Sequence, residues 1–352
     1  MRIGIVGLPN VGKTSLFNIL TGARARVDLF PFTTIEKNVG VVLVPDERLE
    51  KIAQVINPKK VTPAHIDFVD IAGLVKRASR GEGLGNKFLA HIREANLILH
   101  LVRNFALPDI PHILDTIDPD RDVEIVEAEL AIADLTVVEK RLESARKEPA
   151  TPEKHLLVTA LEKLADSLRK TFTPPALSPD ERRAVKDLSL FVLKPVVYGI
   201  NCSDTEPAEP NHFPTLAGRN CILFSAKLEN ESADLSESEK MELRQSLNLT
   251  PEGPAKIITT CFSALGLIRF YTVKGEETRA WSAPRGTTAL DAAYMIHTDI
   301  GKGFIKAEVV SWQDLITAGG FQVAHTTGKV KIEGKGYIIQ DGDVLLVRFK
   351  TH

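Results

Sequence analysis

Gly7-Leu8-Pro9-Asn10-Val11-Gly12-Lys13-Thr14-Ser15 decides how this chain is read. The apolar run Ile3-Gly4-Ile5-Val6 precedes it and the helix-like run Leu16-Phe17-Asn18-Ile19-Leu20 follows. The order is strand, glycine-rich loop, helix N-terminus, and the form G-x-x-x-x-G-K-[ST] is the phosphate-binding P-loop. Gly7 and Gly12 permit torsions that turn successive backbone N–H groups inward, and a helix N-terminus adds favourable dipoles for an anion. Lys13 is expected to reach the β- and γ-phosphates and to stabilise charge that develops there, which makes it a catalytic candidate. The Thr14 hydroxyl is placed for Mg²⁺. Asn10, Val11, Gly12, Lys13, Thr14 and Ser15 are the nucleotide-binding candidates of this segment.

Working outward, 352 residues at about 150 per domain suggest two or three domains, each able to bury a core. A net charge of -2 excludes a strongly basic protein, so contact with nucleic acid would rest on a local patch. Three cysteines, Cys202, Cys221 and Cys261, have no metal-ligand spacing and suit a reducing compartment. No charged leader with a cleavage site and no apolar run of membrane-spanning length is evident. The expectation is a cytoplasmic protein with no membrane partner.

A P-loop of the switching kind needs further ligands downstream. Phe30-Pro31-Phe32-Thr33-Thr34-Ile35 is a loop with poised hydroxyls, and Thr34 is the candidate for a second hydroxyl ligand of Mg²⁺. Val61 to Leu74 reads as a buried strand ending in Asp70-Ile71-Ala72-Gly73-Leu74. Asp70 is positioned to hold the Mg²⁺ shell, and the N–H of Gly73 to sense the γ-phosphate, a catalytic contribution. Small GTPases usually place a glutamine at the position of Leu74 to orient the attacking water. Leucine cannot hydrogen-bond water, so another group is required or turnover is slow. His112, in the loop after the strand Leu97–Val102, is the candidate replacement, since a neutral imidazole can position a water; a surface loop histidine is the alternative.

From about 122 to 169 the apolar residues adopt helical spacing: Ala128, Ile132, Leu135, Val138 and Leu142, then Leu157, Leu161, Leu164 and Leu168. Pro149 to Pro152 separates the two runs. The pattern predicts an antiparallel coiled-coil hairpin, either a protruding arm or one packed on the main domain. A strand then ends in Asn201-Cys202-Ser203-Asp204, the N-K-x-D spacing of guanine-reading loops with cysteine in place of lysine. Asp204 could accept from guanine N1–H, Asn201 would tie this loop to the P-loop, and Ser225-Ala226-Lys227 would support the base. From about Leu267 strands dominate. Lys302, Lys306, Lys329, Lys331 and Lys335, with Phe304 and Tyr337 near them, suit RNA contacts, with solvated surface lysines as the alternative.

Taken together, GLPNVGKTS at 7–15, PFTTI at 31–35, DIAGL at 70–74, the GEGLGNKFLAHIRE run and the terminal RAWSAPRGTTALDAAYMIHTDIGKGFIKAEV resemble the YchF/Obg-like ATPases, a branch of the Obg-related translation-factor P-loop NTPases. The resemblance covers essentially the whole chain. It implies an α/β fold: a P-loop G domain (1–121 and 191–266) interrupted by a coiled-coil helical hairpin (122–190) and followed by a β-grasp-like TGS domain (267–352). It also implies binding and hydrolysis of ATP, with GTP as a second nucleotide, Mg²⁺ as cofactor, and the large ribosomal subunit and RNA as partners of a monomer. In the family a hydrophobic residue replaces the catalytic glutamine, which Leu74 fits, and a loop histidine at the place of His112 takes its role. Asp204 departs from the family pattern, which commonly lacks Asp there. The expectation is a Mg²⁺-dependent nucleotide switch on the ribosome. The alternatives are a GTP-specific GTPase, a ribosome-binding module with nucleotide as a structural ligand, and a small-molecule kinase.

Overall fold

The computed structural model describes residues 1–22, 39–70, 92–107, 110–209, 213–232 and 234–350. Thr34, Gly73 and Leu74, and with them the PFTTI segment, the remainder of DIAGL after Asp70 and the GEGLGN segment, lie outside these residues. The apolar start of the chain forms β1 (Arg2–Val6), and the P-loop leads into α1 (Lys13–Gly22). Then come β2 (Val39–Leu43), α2 (Glu47–Ile56), β3 (Lys60–Thr62), β4 (His65–Asp70), β5 (Leu97–Asn104), β6 (Val196–Cys202) and β7 (Cys221–Phe224). One sheet has the order β2-β4-β1-β5-β6-β7. The pairs β4·β1, β1·β5, β5·β6 and β6·β7 run parallel. A parallel strand covered on both faces is a continuous apolar run, and β5 is buried from Leu97 to Arg103. β1, β4 and β6 thereby deliver the P-loop, Asp70 and Asn201 to one edge, the carboxyl ends of the strands, where open α/β sheets bind ligands.

The strand expected over Val61–Leu74 is divided. Pro63 has no N–H for a ladder, and the chain splits there into β3 and β4. β4 pairs with β1, whereas β3 pairs with β9 (Glu277–Pro284) in the second sheet.

Between β5 and β6 lie α3 (Pro119–Lys147) and α4 (Pro152–Thr171). Asp118 caps α3 by accepting from the Arg121 N–H, and Thr151 caps α4 by accepting from the Lys154 N–H; both helices have proline at their first position, where its missing donor costs nothing. Val138, Leu142 and Ala145 pack with Leu161, Leu164 and Ala165. The ion pairs Arg169–Glu139 and Arg146–Glu162 match positions in antiparallel register. At the other end Asp134, fully buried, accepts from Arg93 Nη1 and from the Val192 N–H, each at 2.9 Å. The helix pair is thus rooted by a polar anchor and held along its length by apolar packing.

By their internal contacts the described residues form two compact units, one of 1–22, 39–40 and 67–261, the other of 41–66 and 262–350. The second unit carries a mixed sheet of order β11-β10-β12-β8-β9-β3, with β8 (Leu267–Lys274), β10 (Phe304–Ser311), β11 (Lys331–Glu333) and β12 (Asp343–Phe349). Its core joins Phe270, Ala292, Ala293, Phe304, Val309 and Leu345, covered by the helix Ala289–Ile296. That core removes Phe304 from the expected RNA contacts, since it is buried there, whereas Tyr337 packs against it partly buried, its hydroxyl donating to Asp343 at 2.8 Å. The buried Phe304 ring is not free to stack on a base, and Lys329 is paired with Asp314 at 3.2 Å.

Candidate functional site

The P-loop is a turn that only certain residues can make. Gly7 has φ +151°, Gly12 φ +97° and Asn10 φ +64°. A Cβ on Gly7 would run into the Leu101 carbonyl, and one on Gly12 into the side-chain amide of Asn201. The loop therefore lies directly on β5 and β6, and glycine is required by close approach as well as by torsion.

Lys13 is only 7 % exposed, and its Nζ donates to the carbonyls of Gly7 (3.1 Å) and Leu8 (2.7 Å). Burial pulls its pKa down to about 8, with the Asp70 carboxylate acting in the opposite direction. A desolvated cation this close to a glycine-rich loop gains from an anion brought beside it. The Thr14 hydroxyl donates to Asp70 Oδ2 at 2.9 Å, while Oδ1 of Asp70 is buried without a hydrogen-bond partner. An orphaned carboxylate oxygen beside a helix-terminal hydroxyl is a fitting donor set for a small hard cation.

Asn201 closes the loop against the next turn. Its Nδ2 donates to the Val11 carbonyl at 3.1 Å and its Oδ1 accepts from the Ala226 N–H at 2.9 Å. Ser225 caps the helix Ala226–Glu231 by accepting from the Leu228 N–H. Lys227 reaches back to Asp204 Oδ2 at 2.9 Å, which raises the Lys227 pKa. Cys202, where a guanine-reading loop has lysine, is buried, and burial pushes its thiol up to about 12.

These residues surround a cleft of ≈ 1060 Å³. Asn10, Gly12, Lys13, Thr14, Ser15 and Asp70 line its phosphate end, and Asn201 to Thr205 with Ala226 and Lys227 line the other. Phe105, Ala106, Leu107 and Ile110 supply an apolar wall, which sequence reasoning missed. It also missed Arg103, buried at the end of β5: its guanidinium donates to the carbonyls of Phe105 (3.0 Å), Ile110 (2.7 Å) and Asn10 (3.4 Å). One side chain thus joins the apolar wall to the P-loop. An arginine at the end of an otherwise apolar run was the available signal.

His112 is not among the lining residues. It is 6 % exposed, with Nε2 at 2.7 Å from Asp122 Oδ2 and Nδ1 accepting from the Leu114 N–H at 3.1 Å. Lys13, Thr14, Asp70 and Asn201 are therefore brought together, and the histidine stands apart from them.

A family described as 50S ribosome-binding GTPase matches residues 2–143, and the YchF-GTPase C-terminal family, described as a protein of unknown function (DUF933), matches residues 267–350. The Bacillus subtilis (strain 168) protein named ribosome-binding ATPase YchF is 41% identical, with 100% of both chains covered. The chain belongs to the YchF family. A YchF of the same name from Haemophilus ducreyi is 42% identical over 99% of each chain. The YchF GTPase structure from Schizosaccharomyces pombe superposes with a TM-score of 0.85 at 34% identity, covering 99% of this chain and 97% of that one. A GTP-binding protein from Pyrococcus horikoshii, 21% identical with a TM-score of 0.64, shares the fold. The GTPase family match thus covers the P-loop side of the cleft. Among the described residues no helix is long and apolar enough to cross a membrane.

Proposed function

We propose that this YchF-family chain is a Mg²⁺-dependent nucleoside-triphosphatase, using ATP in preference to GTP, that changes state with its nucleotide while bound to the ribosome. The observation that carries this reading is the Thr14–Asp70 pair with its unsatisfied carboxylate oxygen, set beside the buried Lys13. Thr14 and Asp70, with Thr34 from the preceding loop, would hold Mg²⁺, which when bound supplies charge neutralisation to the β- and γ-phosphates. The loop N–H groups and the start of α1 bind and orient the phosphates. Lys13 exchanges two carbonyl partners for phosphate oxygens and stabilises the charge that builds on them. The Gly73 N–H would face the γ-phosphate, and His112 would orient the water that Leu74 cannot.

ATP is favoured because the base-reading carboxylate is already committed: Asp204 is paired with Lys227, so guanine must compete for it. Retention of that carboxylate supports GTP as the second nucleotide. The relatives named ribosome-binding ATPases support a ribosomal, hence cytoplasmic, role, with the helix pair α3–α4 as a coiled-coil arm and the C-terminal unit as a TGS domain on the large subunit. Calorimetric titration of ATP and GTP on one preparation, repeated with Asp204→Glu, tests the base preference. Much weaker binding of ATP than of GTP would refute it. Ribosome pelleting with apo, ATP-bound and GTP-bound protein tests the switch, which indifference to nucleotide would rule out in favour of a binding module.

A further inference from the structure

A neutral imidazole offers one donor and one acceptor, and His112 has spent both. Because Nδ1 accepts from the Leu114 N–H, the ring proton lies on Nε2 and points to Asp122 Oδ2. In this arrangement the ring has nothing to offer a water. The group that holds it belongs to another element: Asp122 stands in the first turn of α3. Its second oxygen accepts from Arg121 at 2.9 Å, and Arg121 is pinned in turn by the hydroxyl and carbonyl of Thr116 at 2.7 and 2.8 Å. Both oxygens of this buried carboxylate are thus engaged, one by the His112 ring and the other by Arg121.

The stored ring is nevertheless close to the cleft along the chain. Ile110, which lines the cleft and whose carbonyl is held by Arg103 at 2.7 Å, is two positions away. The element that owns the latch is 29 residues long, about 43 Å of helix, and it begins the α3–α4 pair. A partner seated on that pair therefore engages the same continuous helix whose first turn holds His112.

We propose that Asp122 is a positioning residue that latches His112 off the cleft, and that engagement of the helix pair by the ribosome weakens this pair and frees the imidazole for the attacking water. The proposal rests on the reading of His112 as the water-orienting group. It gives α3 a role in hydrolysis that needs no contact between the helix pair and the nucleotide.

The test is single-turnover ATP hydrolysis by the full chain, with and without ribosomes, for the wild type, Asp122→Asn, His112→Ala and the double variant. Asparagine keeps an acceptor for Nε2–H and removes the charge that strengthens the bond. Asp122→Asn is expected to raise the ribosome-free rate about fivefold and to shrink the stimulation by ribosomes correspondingly, with ATP affinity unchanged. His112→Ala is expected to abolish hydrolysis in both conditions, and the double variant to match it. If His112→Ala leaves hydrolysis unchanged, the reading of the histidine falls and the latch with it. If His112→Ala abolishes hydrolysis but Asp122→Asn changes neither the basal rate nor the stimulation, the latch alone is overturned. Imidazole ¹⁵N spectra of the wild type give a check independent of any variant's folding: the Nε2–H tautomer is expected without ribosomes, and an Nδ1–H tautomer contradicts the latch.

Discussion

Asn201 donates to the Val11 carbonyl at 3.1 Å, so the P-loop and the turn after β7 share one side chain, whose oxygen accepts from Ala226. Both ends of the cleft are held by this buried amide. Replacing it with alanine leaves a buried carbonyl and a buried N–H without partners, each costing about 1–3 kcal/mol. Asn201→Ala is expected to lose roughly 2–4 kcal/mol of stability in urea unfolding and at least about tenfold in ATP affinity by calorimetry. Unchanged affinity would mean that the P-loop holds its shape without this tie.

Thr14 and Asp70 make a second prediction. If the proposed Mg²⁺ takes the orphaned Asp70 oxygen, ATP affinity is expected to be higher with Mg²⁺ than with a chelator present. In Thr14→Val and Asp70→Asn that metal-dependent gain is expected to shrink by about tenfold or more, whereas the chelator value stays near wild type. Manganese spectroscopy of the nucleotide complex reads the same loss directly. A full metal effect in both variants would count against these ligands.

Gly7→Ala is expected to fail for steric reasons. The added Cβ meets the Leu101 carbonyl of β5, and the backbone sits at φ +151°. Neither the strand nor the loop can yield cheaply, so a loss of about 2–4 kcal/mol in thermal or denaturant unfolding is expected. Gly218→Ala is the control: its φ is +75° but nothing stands within reach of a Cβ, so the cost there is the torsional one alone, about 1 kcal/mol.

Asp134 predicts a pH dependence. Burial raises its pKa to about 6, against the opposing pull of the Val192 N–H and Arg93. The folded state thus binds this proton more tightly than the unfolded chain, whose carboxyl titrates near the ordinary value. The resulting stability is fully present below about pH 4 and is lost as pH rises through about 6. Relative to Asp134→Asn, the wild type is expected to gain roughly 2 kcal/mol between pH 7 and pH 4.5. Urea unfolding at both pH values measures it, and parallel pH profiles for the two proteins would exclude Asp134 as the source.

The features legible in the sequence were those set by neighbours along the chain. β1, the glycine loop and α1 follow one another because a β-period run, two glycines and a helix-forming run are contiguous, and α3 and α4 start where Asp118-Pro119 and Thr151-Pro152 supply cap and first position. Pro63 was a readable break in the Val61–Leu74 run, but not a sign that its two halves join different sheets. The cleft itself is assembled from positions nearly two hundred residues apart. Its order depends on the strand sequence β4-β1-β5-β6-β7, which no local pattern encodes. His112 shows the limit most clearly: the sequence marks a histidine in a loop, while its pairing with Asp122 is decided only when α3 packs beside that loop. Hydrogen bonds between distant residues depend on burial and on register between elements, and those are properties of the folded chain alone.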